Sequence, residues 1–236
     1  MTVFTTPQPI KATVTTAGAR VRVTAGERQD TVVLVEPGDR TNNADVKVAE
    51  RVKVEFADGA LSVKTTKSGQ RIGSVDITIA LPAGSTLVLS TARTGVHAEG
   101  RFGDCALDAA SSEVRLDQVG ALRGQFGSSR ISVGQASSDV EILGSSGSVD
   151  LDRVDGDVVV KVSDCPIRIG RMTRGRAELA NASGGIDVGI GDGAARVDAN
   201  STKGSVRSSV PARDDAAVQV HARTRLDDIV IHPAAV

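Results

Sequence analysis

The chain has 236 residues and a formal net charge of −1, which gives no reason to expect nucleic acid or an anionic membrane as a partner. No apolar run approaches the roughly 20 residues of a membrane-spanning helix. With four Phe and no Trp or Tyr, a core must be built from Val, Ile, Leu and Ala, and the length allows one long all-β domain or two smaller ones.

At the N-terminus, residues 1–10 show no basic segment followed by an apolar stretch, so no signal peptide is visible. We therefore expect a cytoplasmic protein, and export to the cell surface is the alternative.

Residues 10–91 contain short runs of alternating apolar and polar residues without a fixed period. Asp58-Gly59 lies between two such runs and predicts a hairpin. No segment combines an apolar period of 3.6 residues with capping residues, so no amphipathic helix is predicted. We expect residues 1–91 to form a β-rich, antiparallel or irregular lead-in that covers the first coil of the following region and is continuous with it. The predicted strands are 19–23, 31–36, 46–56, 60–64, 74–81 and 86–90.

Residues 92–209 repeat one short pattern at a spacing of 17–20 residues. Each unit has two alternating runs separated by Gly, Asp and Ser, which are turn residues. This period is too short for a strand–helix crossover and fits one coil with two strands and two corners. We predict an all-β fold, a parallel β-solenoid (β-helix) of about six coils of about 18 residues, with β caps at both ends. The apolar anchors are Val96, Val114, Ile131, Val149, Ile167, Ile186 and Val206 in one strand, and Cys105, Leu122, Val140, Val158, Ala177 and Ala195 in the other.

Stacked coils would align equivalent outward side chains about 4.8 Å apart, in ladders that cross the strands. Opposite charges are neighbours in both predicted ladders and like charges are not, which favours this register. The alternative is that these charges only fill a solvated face. The first ladder is His97, Arg115, Ser132, Asp150, Arg168, Asp187 and Arg207, and the second is Ala106, Arg123, Glu141, Val159, Glu178 and Arg196.

After Val206 the pattern stops, and residues 210–236 are predicted to form a C-terminal cap with strands at 217–222 and 228–232. Cys105 and Cys165 are 60 residues apart, which is more than three coils. Stacking would hold them about 14 Å or more apart, beyond the reach of a disulfide. We expect Cys105 to be a core residue and Cys165 to mark a corner.

Several short motifs resemble the bacterial β-strand-repeat "putative adhesin" family, a domain of unknown function. They are Ile79-Ala80-Leu81-Pro82 with Gly84 and Leu87, and recurring turns such as Ser146-Gly147-Ser148-Val149 and Ser183-Gly184-Gly185-Ile186. The resemblance covers about residues 10–210 and implies a right-handed β-helix-like fold. It supplies no functional residues, and the chain departs from an exported adhesin in showing no signal peptide.

The segment Gly189-Ile190-Gly191-Asp192-Gly193-Ala194 formally matches a dinucleotide-binding fingerprint, which requires a helix directly after it. Residues 195–198 alternate like another strand, so we interpret the glycines as a corner. A calcium-binding roll would need oxygen ligands repeated along the stack, and the corresponding corners at 153–156 and 171–174 do not repeat them.

Two further groups of residues have side chains that occur in metal or catalytic sites. His97, His221 and His232 are too scattered for a zinc pattern, and neither Cys completes one. A group of aspartates suggests a carbohydrate enzyme of the β-helix type, but such catalysis needs a pair of carboxylates at a defined separation. The predicted neighbours in the ladder are Ser and Arg instead. These aspartates are Asp150, Asp152, Asp155 and Asp157.

We therefore expect a non-enzymatic scaffold or interaction domain that binds an unidentified protein partner or itself. No catalytic residue, cofactor or metal is assigned, and hydrolase and nucleotide-triphosphatase motifs are absent from the sequence. The alternatives are a carbohydrate-active β-helix enzyme and an exported surface adhesin.

Overall fold

The computed structural model describes residues 1–65, 73–191 and 193–235. These residues form twenty β-strands and one short α-helix, so the all-β prediction is confirmed. They belong to two compact units, unit 1 (Met1–Gln118) and unit 2 (Val119–Val236). The division at 91/92 and 209/210 stays a prediction, as does the number of coils. Within the described ranges, no helix has the length and apolar character needed to cross a membrane.

Unit 1 is built from short strands whose apolar residues point alternately inward. Its elements are β1 (Thr2–Thr5), β2 (Lys11–Ala17), β3 (Ala19–Gly26), β4 (Asp30–Pro37), α1 (Asn43–Glu50), β5 (Lys53–Ala57), β6 (Ala60–Lys64), β7 (Val75–Pro82), β8 (Thr86–Ala92), β9 (Gly95–Arg101), β10 (Cys105–Ala110) and β11 (Glu113–Val119).

The strands of unit 1 pair mostly in parallel. β2 lies between β6 and β8, and β3 lies between β7 and β9. The expected antiparallel or irregular lead-in is therefore wrong for β2, β3, β6, β7 and β8, each of which has a parallel partner. Antiparallel pairs occur only at the outer strands, where β1 pairs with β4, β4 with β7, and β5 with β6 among the described residues. At β5–β6 the predicted hairpin is confirmed, with positive φ at Asp58 (50°) and Gly59 (73°).

The predicted strand 46–56 is wrong for residues 46–50, which belong to the helix α1, and is confirmed for residues 53–56, which belong to β5. Asn42 is the N-cap of α1, and the side chain of Asn42 accepts a hydrogen bond from the Ala44 backbone N at 2.9 Å. The buried carboxylate of Asp45 accepts hydrogen bonds from the backbone N of Asp39 (2.9 Å) and of Ser74 (2.8 Å). Contacts from distant residues thus hold a helix that is too short to show an apolar period.

Unit 2 continues the alternating pattern with longer strands. Its strands are β12 (Leu122–Ala136), β13 (Val140–Asp155), β14 (Val158–Lys161), β15 (Ile167–Ala180), β16 (Ile186–Ile190), β17 (Ala195–Ser201), β18 (Val206–Ser208), β19 (Val218–Thr224) and β20 (Ile229–Pro233).

The predicted register is confirmed through the middle of unit 2. Ile131, Val149, Ile167 and Ile186 are successive neighbours in parallel strands, and so are Leu122, Val140, Val158 and Ala177. These anchors are all buried and form the core of the unit. Side chains of this kind contribute about 1.5–3 kcal/mol each when fully buried, so the repeated anchors are the main stabilising feature.

The C-terminal strands differ from the prediction, because they do not follow the last repeat as a closing cap. β19 pairs with β15 on one side and β17 on the other, and β20 lies between β16 and β18. Val230 therefore separates Asp187 from Arg207 in the first ladder. In the second ladder His221 is the neighbour of Glu178, and Arg196 lies beside Gln219. The predicted Asp187–Arg207 and Glu178–Arg196 neighbours are wrong.

Candidate functional site

A groove of about 630 Å³ lies on the outward face of unit 1. Its walls are charged side chains from five adjacent strands, β4, β7, β3, β9 and β11. The charged and open positions are Arg20, Arg22, Glu36, Asp76, Gly95, His97, Glu113 and Arg115. We call this site the Arg22 groove.

Alternation places these side chains on the solvent side. In β3, Val21 and Val23 are buried, so Arg20 and Arg22 point outward. Parallel pairing sets Arg22 beside His97 on β9, and His97 beside Arg115 on β11. Three neighbouring strands thus present basic or titratable side chains at one level, about 4.8 Å apart.

Most charged groups in the groove already have partners. Arg20 forms two hydrogen bonds to Asp76, from Nε to Oδ1 at 2.7 Å and from Nη2 to Oδ2 at 2.8 Å. This pairing with the Asp76 carboxylate raises the pKa of Arg20. Arg115 Nη2 donates to Glu113 Oε1 at 2.7 Å. These ion pairs orient the side chains of the groove walls and neutralise most of the charge that a ligand could contact.

His97 is also engaged, since its Nε2 lies 2.7 Å from Glu99 Oε1. The neighbouring outward position on β9 towards the start of the strand is Gly95, and a Cβ built there would meet nothing within 4 Å. The missing side chain leaves an open floor between Arg20 and Glu113, which are the neighbours of Gly95 on either side.

Arg22 is the exception in this groove. It is exposed, and within residues 1–65, 73–191 and 193–235 its guanidinium has no hydrogen-bond or ion-pair partner. A guanidinium presents a planar set of donors that binds a carboxylate or phosphate through two parallel hydrogen bonds. The groove therefore has the chemistry to bind one anionic group at Arg22.

The ladder in unit 2 shows the contrasting arrangement. Arg168 lies between Asp150 and Asp187 on adjacent strands, and its Nη1 donates to Asp150 Oδ1 at 2.8 Å. The alternation predicted for these three residues is confirmed. Arg123 and Glu141 are also neighbours, at 3.9 Å between Nε and Oε2. Arg168 and Arg123 thus each have an acidic neighbour, unlike Arg22.

The four aspartates that suggested a carbohydrate enzyme do not form one cluster. Asp150 and Asp152 both accept from Arg168, at 2.8 and 3.3 Å. Asp155 accepts from the hydroxyl of Thr173, and Asp157 accepts from the backbone N of Arg176 at 2.8 Å. Asp150 and Asp152 thus share one guanidinium, while Asp155 and Asp157 are used in two other contacts.

The glycine segment joins two strands, as its interpretation as a corner predicts. β16 ends at Ile190, and β17 begins at Ala195 without an intervening helix among the described residues. Asp192, the acidic member of the formal fingerprint, lies outside the described residues. The helix N-terminus that would hold a pyrophosphate does not follow the glycines.

The histidines lie apart and each contacts a different acid. His221 Nδ1 is 3.0 Å from Asp198 Oδ2, and His232 Nε2 is 3.3 Å from Asp187 Oδ1. The hydrogen bond to the Pro233 carbonyl and the contact with Asp187 raise the pKa of His232. Across the described part of the chain, no three His, Cys, Asp or Glu side chains are grouped so as to hold a metal ion.

Both cysteines are buried free thiols. Burial raises the pKa of Cys105 to about 12 and that of Cys165 to about 11. A thiol with such a pKa is protonated at neutral pH and is a weak nucleophile.

The Arg22 groove was missed in the sequence, although part of it was visible. His97 and Arg115 were predicted to be neighbours, and the structure confirms this pair. Arg22 was not connected to them because β3 was assigned to an irregular lead-in. The signal that could have found it is the strict alternation of Arg20-Val21-Arg22-Val23, which matches the repeats.

Comparison with known proteins gives a family and a fold. The family model described as Toastrack DUF4097 matches residues 10–227. A crystal structure described as a putative adhesin from Bacteroides fragilis aligns with 98% of this chain and 95% of its own length, at 14% identity and a TM-score of 0.52. Another so described, from Parabacteroides merdae, aligns with 97% and 94%, at 13% identity and a TM-score of 0.51. At such identities the likeness concerns the fold alone. No curated protein matches the chain.

Proposed function

We propose that this chain, which belongs to the Toastrack DUF4097 family, is a non-enzymatic scaffold or interaction domain. In this proposal the strands form a parallel β-solenoid of about six coils, and its outward face binds a protein partner. The family and the similar structures support an adhesin-like protein without assigning a role.

The observation that carries the proposal is the unpaired guanidinium of Arg22. Neighbouring basic side chains repel each other, whereas Arg168 in unit 2 lies between two acids, Asp150 and Asp187. The partner supplies the missing carboxylate to Arg22, in the space above Gly95. Arg20 is paired with Asp76, and Arg115 is paired with Glu113. These ion pairs form the walls of the groove around Arg22.

The test compares two charge reversals of equal size. Arg22→Glu alters the groove, and Arg225→Glu alters another exposed Arg with no side-chain partner among the described residues. Cross-linking in the native cell followed by mass spectrometry should recover a specific partner with the wild type and with Arg225→Glu. The same partner should be lost with Arg22→Glu. Equal recovery with both variants would remove the groove from the proposal.

The absence of catalysis is part of the same proposal and needs its own experiment. The purified protein should turn over no substrate in a broad screen of polysaccharides and glycosides. Clear turnover of any of them would replace the scaffold proposal with the carbohydrate enzyme.

The proposal includes a cytoplasmic location. The descriptions of the similar structures as adhesins favour the alternative of a surface protein. Cell fractionation distinguishes the two, because an adhesin is recovered in the medium or on the cell surface and a cytoplasmic scaffold in the cytosol.

A further inference from the structure

The two strands at the edge of unit 2, β17 and β18, each have one partner strand among the described residues. The core beneath them is incompletely covered. Val206 faces inward, beside the buried Ile229, but is 42% exposed, and Val197 and Ala199 are only half-buried. Unit 1 shows how an edge is closed, since its outer strands β1 and β5 are antiparallel and carry the stacked rings of Phe4 and Phe56.

The backbone groups of β17 that point outward can be identified from one contact. Ala195 N donates to Pro211 O at 3.1 Å, and Arg213 N donates to Ala195 O at 3.3 Å. In a parallel pair, alternate residues direct both backbone groups to the same side. The backbone N–H and C=O of Ala195 point away from β19. The backbone groups of Val197, Ala199 and Ser201 therefore also point away from it.

The chain starts to pair with this edge and then stops. Ala212 forms an isolated parallel bridge with Ala195, and no other described residue pairs with the outer side of β17. The outward backbone groups from Val197 to Ser201 are therefore available as a template for another strand.

We propose that β17 pairs with β17 of a second copy of this chain, in an antiparallel dimer centred on Ala199. In this register Ala199 faces Ala199, and Val197 faces Ser201, which gives about six backbone hydrogen bonds. The pairing does not involve Ala195, where residues 211–213 already occupy the edge.

The outward side chains distinguish this register from its neighbours. A pairing centred on Ala199 sets Asp198, whose carboxylate already accepts from Arg223 Nη2 at 2.8 Å, opposite Asn200 of the second copy, so that an amide faces a carboxylate on both sides of the axis. A pairing centred on Asp198 would oppose two carboxylates. A pairing centred on Val197 would require the backbone groups of Ala195, which already form hydrogen bonds with Pro211 and Arg213. Of these three registers, only the one centred on Ala199 sets an amide opposite the carboxylate and leaves the edge at Ala195 unused.

The proposal concerns a different surface from the Arg22 groove and stands or falls separately from the proposed function. Analytical ultracentrifugation over a wide concentration range should show a reversible dimer. Hydrogen exchange should show that the amides of Val197, Ala199 and Ser201 become protected as the dimer forms. A monomer at every concentration, or a dimer without this protection, would overturn the proposal.

Variants of two kinds test the register. Ala199→Pro removes an N–H that points to solvent in the monomer, so it should abolish the dimer while leaving the melting temperature nearly unchanged. Asn200→Asp and Asn200→Lys place opposite charges at the same exposed position. The Asp variant should weaken the dimer by about threefold to thirtyfold, and the Lys variant should strengthen it by a similar factor. Equal dimer affinities for these two variants would contradict the register and so the proposal.

Discussion

Arg168 Nη1 lies 2.8 Å from Oδ1 of Asp150, the residue directly beside it on the neighbouring parallel strand. The two residues are 18 positions apart in the sequence, so one ion pair reports the length of a repeat. Because the predicted alignment of Asp150, Arg168 and Asp187 is confirmed, it serves as the reference for the predictions below.

The first prediction concerns the energy of this ion pair. A double-mutant cycle with Asp150→Asn and Arg168→Gln should give a coupling free energy of about 0.2–1 kcal/mol, because both side chains are about half exposed. Urea unfolding of the four proteins measures it, and added salt should reduce the coupling. A coupling above about 2 kcal/mol would show that the ladder stabilises the fold directly rather than marking its register.

The second prediction compares two leucines of the same strand, β13. Leu151 is fully buried and Leu143 is 44% exposed. Leu151→Ala should lower the free energy of unfolding by about 2–5 kcal/mol, since it leaves a cavity in the core. Leu143→Ala is the matched control and should change it by about 0.5 kcal/mol or less. Similar losses for the two variants would mean that the inward face of β13 is wrongly assigned.

The third prediction concerns the close approach of strands β12 and β13 where Ser129 is paired with Gly147. Gly147 has a φ of 131°, and a Cβ at this position would lie 1.8 Å from the Ser129 carbonyl oxygen. Gly147→Ala should therefore cost more than about 2 kcal/mol of stability.

The control for Gly147 lies in the neighbouring strand. Gly127 has no positive φ, and a Cβ there would meet nothing within 4 Å. Gly127→Ala should be neutral or stabilise the protein by about 0.4–1 kcal/mol, because alanine restricts the unfolded chain. Chemical denaturation measures the free energy of unfolding of both variants. An equal loss of stability in the two variants would contradict the close spacing of β12 and β13 at Gly147.

The fourth prediction is a loss of stability at alkaline pH. The folded protein holds Cys165 at a pKa of about 11 and Cys105 at about 12, against an ordinary value of 9.0. Above pH 9.0 the unfolded chain loses these protons before the folded chain does, so the free energy of unfolding falls as the pH rises towards the folded pKa values.

Urea unfolding as a function of pH measures this effect in the wild type and in Cys165→Ala. The variant should lose less stability than the wild type between neutral pH and about pH 11. Native thiols should also react slowly with a disulfide reagent until the protein is unfolded. Rapid reaction of the folded protein would show that the thiols are accessible.

The sequence predicted the middle of unit 2 because the repeat there is regular. A period of about 18 residues repeats both the inward anchors and the outward charges, so each supports the same register. Val149, Ile167 and Ile186 were aligned correctly for this reason. The helix α1 was missed because its stability comes from the Asn42 cap and the Asp45 contacts, which a periodicity argument does not detect.

The candidate site could be predicted only in part. His97 and Arg115 follow from the repeat, since they are consecutive members of one ladder. Arg22 lies more than 70 residues earlier, and its place beside His97 depends on β3 entering between β7 and β9. Nothing in the local pattern of β3 specifies which two strands it joins.

The local properties of the chain, namely the alternating strands, the apolar anchors and the spacing of the repeat, follow from its sequence alone. These depend on side chains within one coil and on the two-residue period of a strand. The order of the strands at the start and the end of the chain depends on tertiary packing. Insertion of β3 between β7 and β9, and of β19 between β15 and β17, joins segments far apart in the sequence. All parallel strands offer the same backbone hydrogen bonds, so the choice of neighbour rests on packing of the whole core rather than on any single segment.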